Sequence, residues 1–308
     1  MYPCVGDYRG SRAVARAGLL SRRRLLAGVF AALLVFLVVV PAVVAYASLH
    51  PARCKPAGTP AAYGLHYENF TVTTGDGVRL RGWIIPGSPR VVFVVMHGYT
   101  SCRADRRLLE IQAELARRGY TVVAFDFRGH GESGGTTTIG PRESAYDVPA
   151  VLSMVRRRYP GARIVLLGYS MGAVAAIMAG SRASGDIVIV ADSPYPTLDE
   201  VIPRWLKSYM GIPRAYSELI GFWGSLMAGV DTRFGPILLD RIDKPLLVIA
   251  GDHDPLVTPA EARAIAAKSC CGRALIVGGA GHVESYKTLG RDRYIEEILD
   301  FVNSTGGR

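Results

Sequence analysis

Residues 168–172 read Gly-Tyr-Ser-Met-Gly, a G-x-S-x-G pattern with Ser170 at its centre. The apolar run 163–167 before it predicts a β-strand, and residues 171–181 after it predict a helix. A turn this tight needs small residues on both sides of the serine and leaves the hydroxyl exposed at the start of a helix. The context therefore favours a nucleophilic Ser170 over a glycine-rich structural turn.

A serine hydroxyl is a weak nucleophile near neutral pH and needs a base, oriented in turn by a carboxylate. His282 lies in a glycine-rich loop after the last predicted strand, 112 residues beyond Ser170, and is the predicted base. Only His253 also follows Ser170, and we expect it to support the loop that carries the acid. That acid is Asp252 or Asp254, both of which follow the predicted strand 246–250.

Residues 64–303 resemble the α/β-hydrolases, and the pattern is closest to the serine aminopeptidase-like and monoglyceride-lipase-like branch. Besides the serine motif, four segments carry the resemblance in chain order: His97-Gly98-Tyr99, residues 126–133 (DFRGHGES), residues 251–257 (GDHDPLV) and Gly281-His282. The resemblance implies a mostly parallel sheet with helices on both faces and a small cap at about residues 195–245. It is much less specific for the substrate.

The resemblance also assigns roles within the site. The family places its acid just before a Pro-x-Val segment, which selects Asp254. Acyl transfer needs fixed donors for the developing oxyanion. The backbone N–H of Met171, directly after the serine, is one predicted donor, and the family's second donor corresponds to the backbone N–H of Tyr99.

Other polar residues near the ends of predicted elements are expected to be structural. They are His97 and His130, which precede the serine, and the carboxylates Asp126, Asp147 and Asp192. No cluster has metal-ligand spacing and no G-x-G-x-x-G follows a predicted strand, so we expect a site that works without metal or cofactor.

The element pattern agrees with an α/β fold. Predicted strands 67–74 and 78–85 flank Gly75-Asp76-Gly77, which is typical of a hairpin. Strands and helices then alternate, which predicts a parallel sheet covered on both faces. The further predicted strands are 91–96, 121–126, 163–167, 187–192, 246–250 and 274–277, and the predicted helices are 104–118, 142–159, 171–181, 259–268 and 293–302.

Residues 25–49 are uncharged and almost wholly apolar, long enough for a transmembrane helix. The basic segment 1–24, ending in Arg22-Arg23-Arg24, predicts a cytoplasmic N-terminus, with a tether at 50–63 and the hydrolase domain outside the cell membrane. The alternative is a signal peptide cleaved after Ala47, with a secreted product, but signal cores are usually shorter. The sequence further predicts that the domain stays active without residues 1–50.

Composition bounds the remaining possibilities. The chain has 308 residues, of which 49% are hydrophobic and 20% charged, which excludes a disordered protein. Half of its net charge of +10 lies in residues 1–24, beside the apolar segment, so a nucleic-acid partner is not expected. Only three side chains are Asn or Gln, a tendency of thermophile proteins. The cysteines are Cys4, Cys54, Cys102, Cys270 and Cys271, and one of the last two either pairs with Cys54 or Cys102 or stays free.

Together these features predict a membrane-anchored serine hydrolase that cleaves a small-molecule carboxylic ester through an acyl-enzyme. A peptidase or amidase using the same residues is the near alternative. A non-catalytic binding protein on this fold is disfavoured by the intact Ser, Asp and His set.

Overall fold

The computed structural model describes the backbone of residues 8–306 and the side chains of residues 21–306. Residues 1–7 of the predicted basic segment, with Cys4, lie outside the described residues. The fold is an eight-stranded, mostly parallel sheet with helices on both faces, preceded by one apolar helix. This confirms the predicted fold class.

The chain begins with a continuous helix that contains α1 (Tyr8–Leu34), a π-helical turn (Val35–Val39) and α2 (Val40–Leu49). Pro41 has no N–H for the helical ladder, and the wider π turn directly before it relieves that defect. Within residues 8–306, only the segment Ser21–Leu49 is both long and apolar enough to cross a membrane. We call it the N-terminal apolar helix.

The sheet has the strand order β1-β2-β4-β3-β5-β6-β7-β8. Its first two strands form an antiparallel hairpin and the other neighbours are parallel, apart from the β2–β4 pair. The strands are β1 (Glu68–Thr73), β2 (Arg79–Ile85), β3 (Ser88–Met96), β4 (Tyr120–Phe125), β5 (Arg163–Tyr169), β6 (Ile187–Asp192), β7 (Leu246–Gly251) and β8 (Gly272–Val277).

Two apolar layers bury the sheet because alternate residues of each strand point to opposite faces. In β3, Val92 and Val94 join one layer and Phe93 and Val95 the other. The helices are α3 (Arg106–Arg117), α4 (Val148–Arg158), α5 (Met171–Gly180), α6 (Leu198–Met210), α7 (Arg214–Ala228), α8 (Pro259–Ala266), α9 (Ser285–Leu289) and α10 (Arg291–Ser304). Helices α4, α5 and α8 cover the first layer, and α3 and α10 cover the second.

Two predicted helices begin later than the sequence indicated. The side chain of Asp105 accepts hydrogen bonds from the N–H groups of Arg107 and Leu108, so it caps α3 and sets its start at Arg106. Helix α4 is preceded by a π-helical turn, Glu143–Asp147, because Pro149 near its start cannot donate to the ladder.

Helices α6 and α7 form the cap between β6 and β7, the region where the sequence predicted no strand. The apolar helix packs against α7 through its α2 part, and Ala45 is buried against Leu206 and Ile220. Closer to the N-terminus of the apolar helix, the hydroxyl of Tyr216 in α7 donates to the carbonyl of Phe36 at 2.6 Å. The apolar helix is therefore docked on the cap over its C-terminal half.

Cys54 and Cys102 form a disulfide, while Cys270 and Cys271 are free. A pairing of Cys270 or Cys271 with Cys54 or Cys102 is therefore wrong. The bond joins the segment after the apolar helix to the loop after β3, and Cys102 is buried in the second apolar layer.

Candidate active site

Ser170 occupies a sharp turn between β5 and α5, with φ 51° and ψ −113°. A residue with a side chain adopts such a conformation only when its surroundings impose it. Here the two glycines of the motif allow it. A Cβ on Gly168 would lie 2.2 Å from the carbonyl oxygen of Gly172, and one on Gly172 would lie 2.5 Å from that of His97. The turn lifts the hydroxyl of Ser170 off the carboxyl end of the sheet.

His282 lies in the loop between β8 and α9 and bridges two residues that are distant in the chain. Its Nε2 is 2.8 Å from the Oγ of Ser170, and its Nδ1 is 2.8 Å from the Oδ2 of Asp254. With a proton on Nδ1, the ring donates to the carboxylate and its Nε2 accepts from the serine hydroxyl. That is the arrangement in which imidazole takes the serine proton.

The two candidate acids have different surroundings. The side chain of Asp254 is fully buried, and its Oδ1 accepts from the N–H groups of Leu256 and Val257 at 2.8 and 3.1 Å. Asp252 is exposed and accepts from the N–H of Gly279 instead. The structure thus brings Asp254, not Asp252, to His282, and the exposed His253 lies outside this line of hydrogen bonds.

Both predicted oxyanion donors line the same cavity as Ser170. Met171 is the first residue of α5, where backbone N–H groups have no helical acceptor and the helix dipole is positive. Tyr99 follows Gly98. A Cβ added to Gly98 would lie 3.2 Å from the Tyr169 carbonyl oxygen and 3.4 Å from the Ser170 Cβ. The loop after β3 therefore passes very close to Ser170, where glycine leaves room.

The cavity above Ser170 has a volume of about 430 Å³ and mostly apolar walls. Among the described residues that line it, none is Asp or Glu. Loops that follow strands of the sheet, together with the cap helices, supply most of the wall. The residues from these elements include Ile139, Leu198, Val201, Ile202, Trp205 and Leu256. The apolar helix supplies the rest through Ala45, Ser48 and Leu49.

The hydroxyl of Tyr99 donates to the carbonyl oxygen of Ser48 at 2.8 Å, which links the loop after β3 to the apolar helix. Burial raises the pKa of Tyr99 to about 12, so this hydroxyl remains a donor at physiological pH.

His97 and His130 hold loops in place. His97 accepts from the N–H of Phe127 at its Nε2 and lies 2.7 Å from the carbonyl of Gly98 at its Nδ1. His130 contacts the carbonyl of Arg128 and accepts from the N–H of Thr100. Burial lowers the pKa of both His97 and His130, so they are neutral hydrogen-bonding groups.

The other strand-end carboxylates are also engaged. Asp126 pairs with Arg103, and Asp147 pairs with the buried Arg128. Burial raises the pKa of Asp126, an effect that the charge of Arg103 opposes. None of these groups contacts Ser170, and in residues 21–306 no group of three or more His, Cys, Asp or Glu side chains is placed to hold a metal ion.

One set of contacts that support the His282 loop was not predicted from the sequence. Ser193, at φ 56°, accepts from the N–H of Val283, the residue after His282. Arg107 donates to the carbonyl of Val283, and Asp192 receives hydrogen bonds from Ser193 and Tyr294. These contacts fix the loop that carries His282. The available signal was Asp192-Ser193 directly at the carboxyl end of a predicted strand.

The fold and this arrangement define the class of protein, and comparison with known proteins agrees. A family model described as serine aminopeptidase, S33, matches residues 87–220. A structure of the Pyrococcus furiosus esterase Pf2001 is 30% identical, covers 84% of this chain and 99% of its own, and superposes with a TM-score of 0.72. The chain belongs to the α/β-hydrolase family, in its serine aminopeptidase-like branch.

Two further proteins are similar to this chain in sequence. The uncharacterized protein YqkD of Bacillus subtilis is 27% identical over 248 residues, which are 77% of this chain and 80% of YqkD. The lysophosphatidylserine lipase ABHD12 of Mus musculus is 25% identical over 182 residues, 55% of this chain and 43% of the lipase.

Proposed function

We propose that the protein is a membrane-anchored serine hydrolase that cleaves carboxylic esters. The observation that carries this proposal is the unbroken line from the Ser170 hydroxyl through His282 to the buried Asp254, at the floor of an apolar cavity. Similarity to an esterase of known structure supports the same reaction class.

In the proposed reaction, the Oγ of Ser170 attacks the ester carbonyl carbon while the Nε2 of His282 takes its proton. The N–H groups of Tyr99 and Met171 stabilise the oxyanion. Collapse of the tetrahedral intermediate breaks the bond to the alkoxide, which leaves with the proton from His282. Water, deprotonated by His282, then attacks the acyl-enzyme, and a second collapse releases the acid and restores the Ser170 hydroxyl.

The lining of the cavity favours esters over N-terminal peptide substrates. An aminopeptidase must bind a free α-ammonium group, and a buried cation needs an acidic partner. The described lining residues include no Asp or Glu, and most are aliphatic or aromatic. Such walls suit an acyl chain, which gains free energy with each methylene removed from water.

The apolar helix is proposed as an uncleaved anchor with the hydrolase domain outside the cell. Arg22, Arg23 and Arg24 lie at its start, and only 6% of its most apolar stretch is buried in the protein. A disulfide between Cys54 and Cys102 suits an oxidising exterior. Cleavage after Ala47 would remove Ala45, which is buried against the cap. We therefore favour retention of the helix.

A fluorophosphonate probe tests the reaction class. We expect wild-type protein and the exposed-serine control Ser184→Ala to be labelled, and Ser170→Ala to remain unlabelled. Turnover of p-nitrophenyl esters alongside aminoacyl amides then separates esterase from peptidase. Faster hydrolysis of amides than of every ester would overturn the ester proposal.

A further inference from the structure

The end of the apolar helix belongs to the wall of the substrate cavity. Ala45 is 1% exposed, contacts the cap, and lines the cavity together with Leu49. Gly224 of α7 faces it, and a Cβ there would lie 3.9 Å from the Cβ of Ala45. The apolar helix and α7 therefore approach each other closely through these two small residues. Their small side chains leave space for the cavity beside the contact.

The segment that follows is held against the catalytic loops. Arg53 donates to the carbonyls of Gly131 and Ser133 at 2.6 and 2.7 Å, and Cys54 is bonded to Cys102. The start of the predicted tether is thus fixed to the domain. The C-terminal end of the apolar helix is therefore held in one position relative to Ser170, because the segment after it is not a flexible linker.

The position of these residues along the helix matches a membrane boundary. A helix needs about 20 residues to cross the hydrocarbon core. Counted from Leu25, after the three arginines, that length ends at Val44, one residue before Ala45. Ala45 and Leu49 then lie at the outer end of this span, beside a cap helix that packs along it as far as Phe36.

Apolar surface continues from the cavity wall towards this boundary. On the helix itself, Val43 and Tyr46 are 60% and 57% exposed. On the neighbouring α7, Phe222 and Leu226 are 60% and 61% exposed. Exposed apolar side chains grouped beside a membrane-crossing helix mark a lipid contact surface.

We infer that the last turns of the apolar helix form part of the substrate site, where Ala45 and Leu49 contact the acyl chain of a long-chain lipid ester drawn from the membrane. This inference rests on the proposed esterase function and names its substrate class. It also replaces the expectation that the domain works fully without residues 1–50. Without them, the cavity loses a wall and Tyr99 loses its hydrogen-bond acceptor.

The test compares two identical substitutions on opposite sides of the helix, in the full-length protein in detergent micelles. Ala45→Leu adds a larger side chain to the cavity wall. Ala47→Leu adds the same atoms at an exposed position that does not line the cavity. We expect Ala45→Leu to lower kcat/KM for a dodecanoate or hexadecanoate ester at least about tenfold while acetate hydrolysis changes little, because one methylene of misfit in an apolar pocket has this size of effect. Ala47→Leu should match wild type on every chain length.

Leu49→Ala serves as a second variant. It makes the side chain smaller, so its folding does not depend on whether the cap accommodates leucine at position 45. It should move the preference towards longer or thicker acyl chains. Intact mass confirms that each protein retains residues 1–49. The same chain-length profile in all three variants and wild type would overturn the inference while leaving ester hydrolysis intact, and a mature protein that begins at Ser48 would overturn it as well. Loss of the proposed function itself would appear differently, as no hydrolysis of esters of any length and no labelling of Ser170.

Discussion

Single residues of the site are held by contacts made elsewhere in the chain. Ser170 keeps its unfavourable backbone conformation because Gly168 and Gly172 let the flanking elements touch. His282 keeps its place because the backbone of the next residue is bound by Ser193 and Arg107. Rigid positioning of this kind lowers the reorganisation needed during the reaction.

The first prediction concerns the nucleophile and base. Ser170→Ala and His282→Ala should each remove nearly all ester hydrolysis, and the double variant should be little worse, because the residues of a triad act as a unit. Steady-state rates on a short p-nitrophenyl ester measure this. Wild-type turnover in His282→Ala would refute the assignment of the base.

The second prediction separates the two aspartates. Asp254→Asn should lower kcat by roughly 10⁴, because an amide cannot hold the His282 tautomer or stabilise its cation. Asp252→Asn is the matched control, since among residues 21–306 the side chain of Asp252 accepts only from the N–H of Gly279. A larger loss of kcat in the control than in Asp254→Asn would reverse the assignment.

Elements with strong local patterns were predictable, and those that depend on distant contacts were not. The buried strand β6 was predicted with its observed ends, Ile187 and Asp192, because all its residues are apolar up to a polar stop. The cap helices were not recognised: α6 contains Pro203 and its N-cap residue Thr197 makes no side-chain cap. Part of their apolar surface, including Leu206 and Ile220, packs against the N-terminal helix, which is far away in the sequence.

The same distinction applies to the site. The residues that now lie together, Ser170, Asp254 and His282, were predicted because each sits in a short motif after a strand, and parallel strands end at one edge. The contact of Ser193 with Val283 joins residues 90 apart and has no local signal. Nor did the apolar segment indicate that Ala45 lines the cavity, since a membrane span and a cavity wall need the same residue types.

At the level of elements, the turn of the β1–β2 hairpin gives a pH prediction. Arg128 donates to both carboxylate oxygens of Asp76, at 2.8 and 3.0 Å, and lowers the pKa of Asp76 from 3.8 to about 2. Since the folded pKa is the lower one, the stabilisation is present above about pH 4 and is lost as pH falls towards 2.

Asp76→Asn should therefore lower the melting temperature by about 2 °C near neutral pH, with a difference from wild type that shrinks as pH falls through this window. The modest size reflects a carboxylate that stays in contact with water. Thermal unfolding at several pH values measures it. Asp243→Asn is the control, because the Asp243–Arg241 pair is well exposed on both sides. An unchanged difference between pH 7 and pH 2 would contradict the linkage.

For the whole molecule, orientation is the decisive property. The proposed topology places the arginine-rich end inside the cell and the disulfide, cap and cavity outside. Protease added to intact cells should digest the hydrolase domain and spare the N-terminal end, because only the domain faces outward. Epitope tags at either end and a membrane-pellet assay measure this. Protection of the domain in intact cells would reverse the orientation, and activity in the medium would indicate cleavage.

The fixed link between the apolar helix and the catalytic loops has a kinetic consequence. In the proposed topology, Arg53 and the Cys54–Cys102 bond hold Ser170 at one height above the bilayer, so lipid substrate is reached only in the adjacent leaflet. Its effective substrate concentration is then two-dimensional, a mole fraction of the surrounding lipid. Adding ether lipid that cannot be hydrolysed, at constant bulk substrate, should slow turnover in proportion to the dilution within the bilayer.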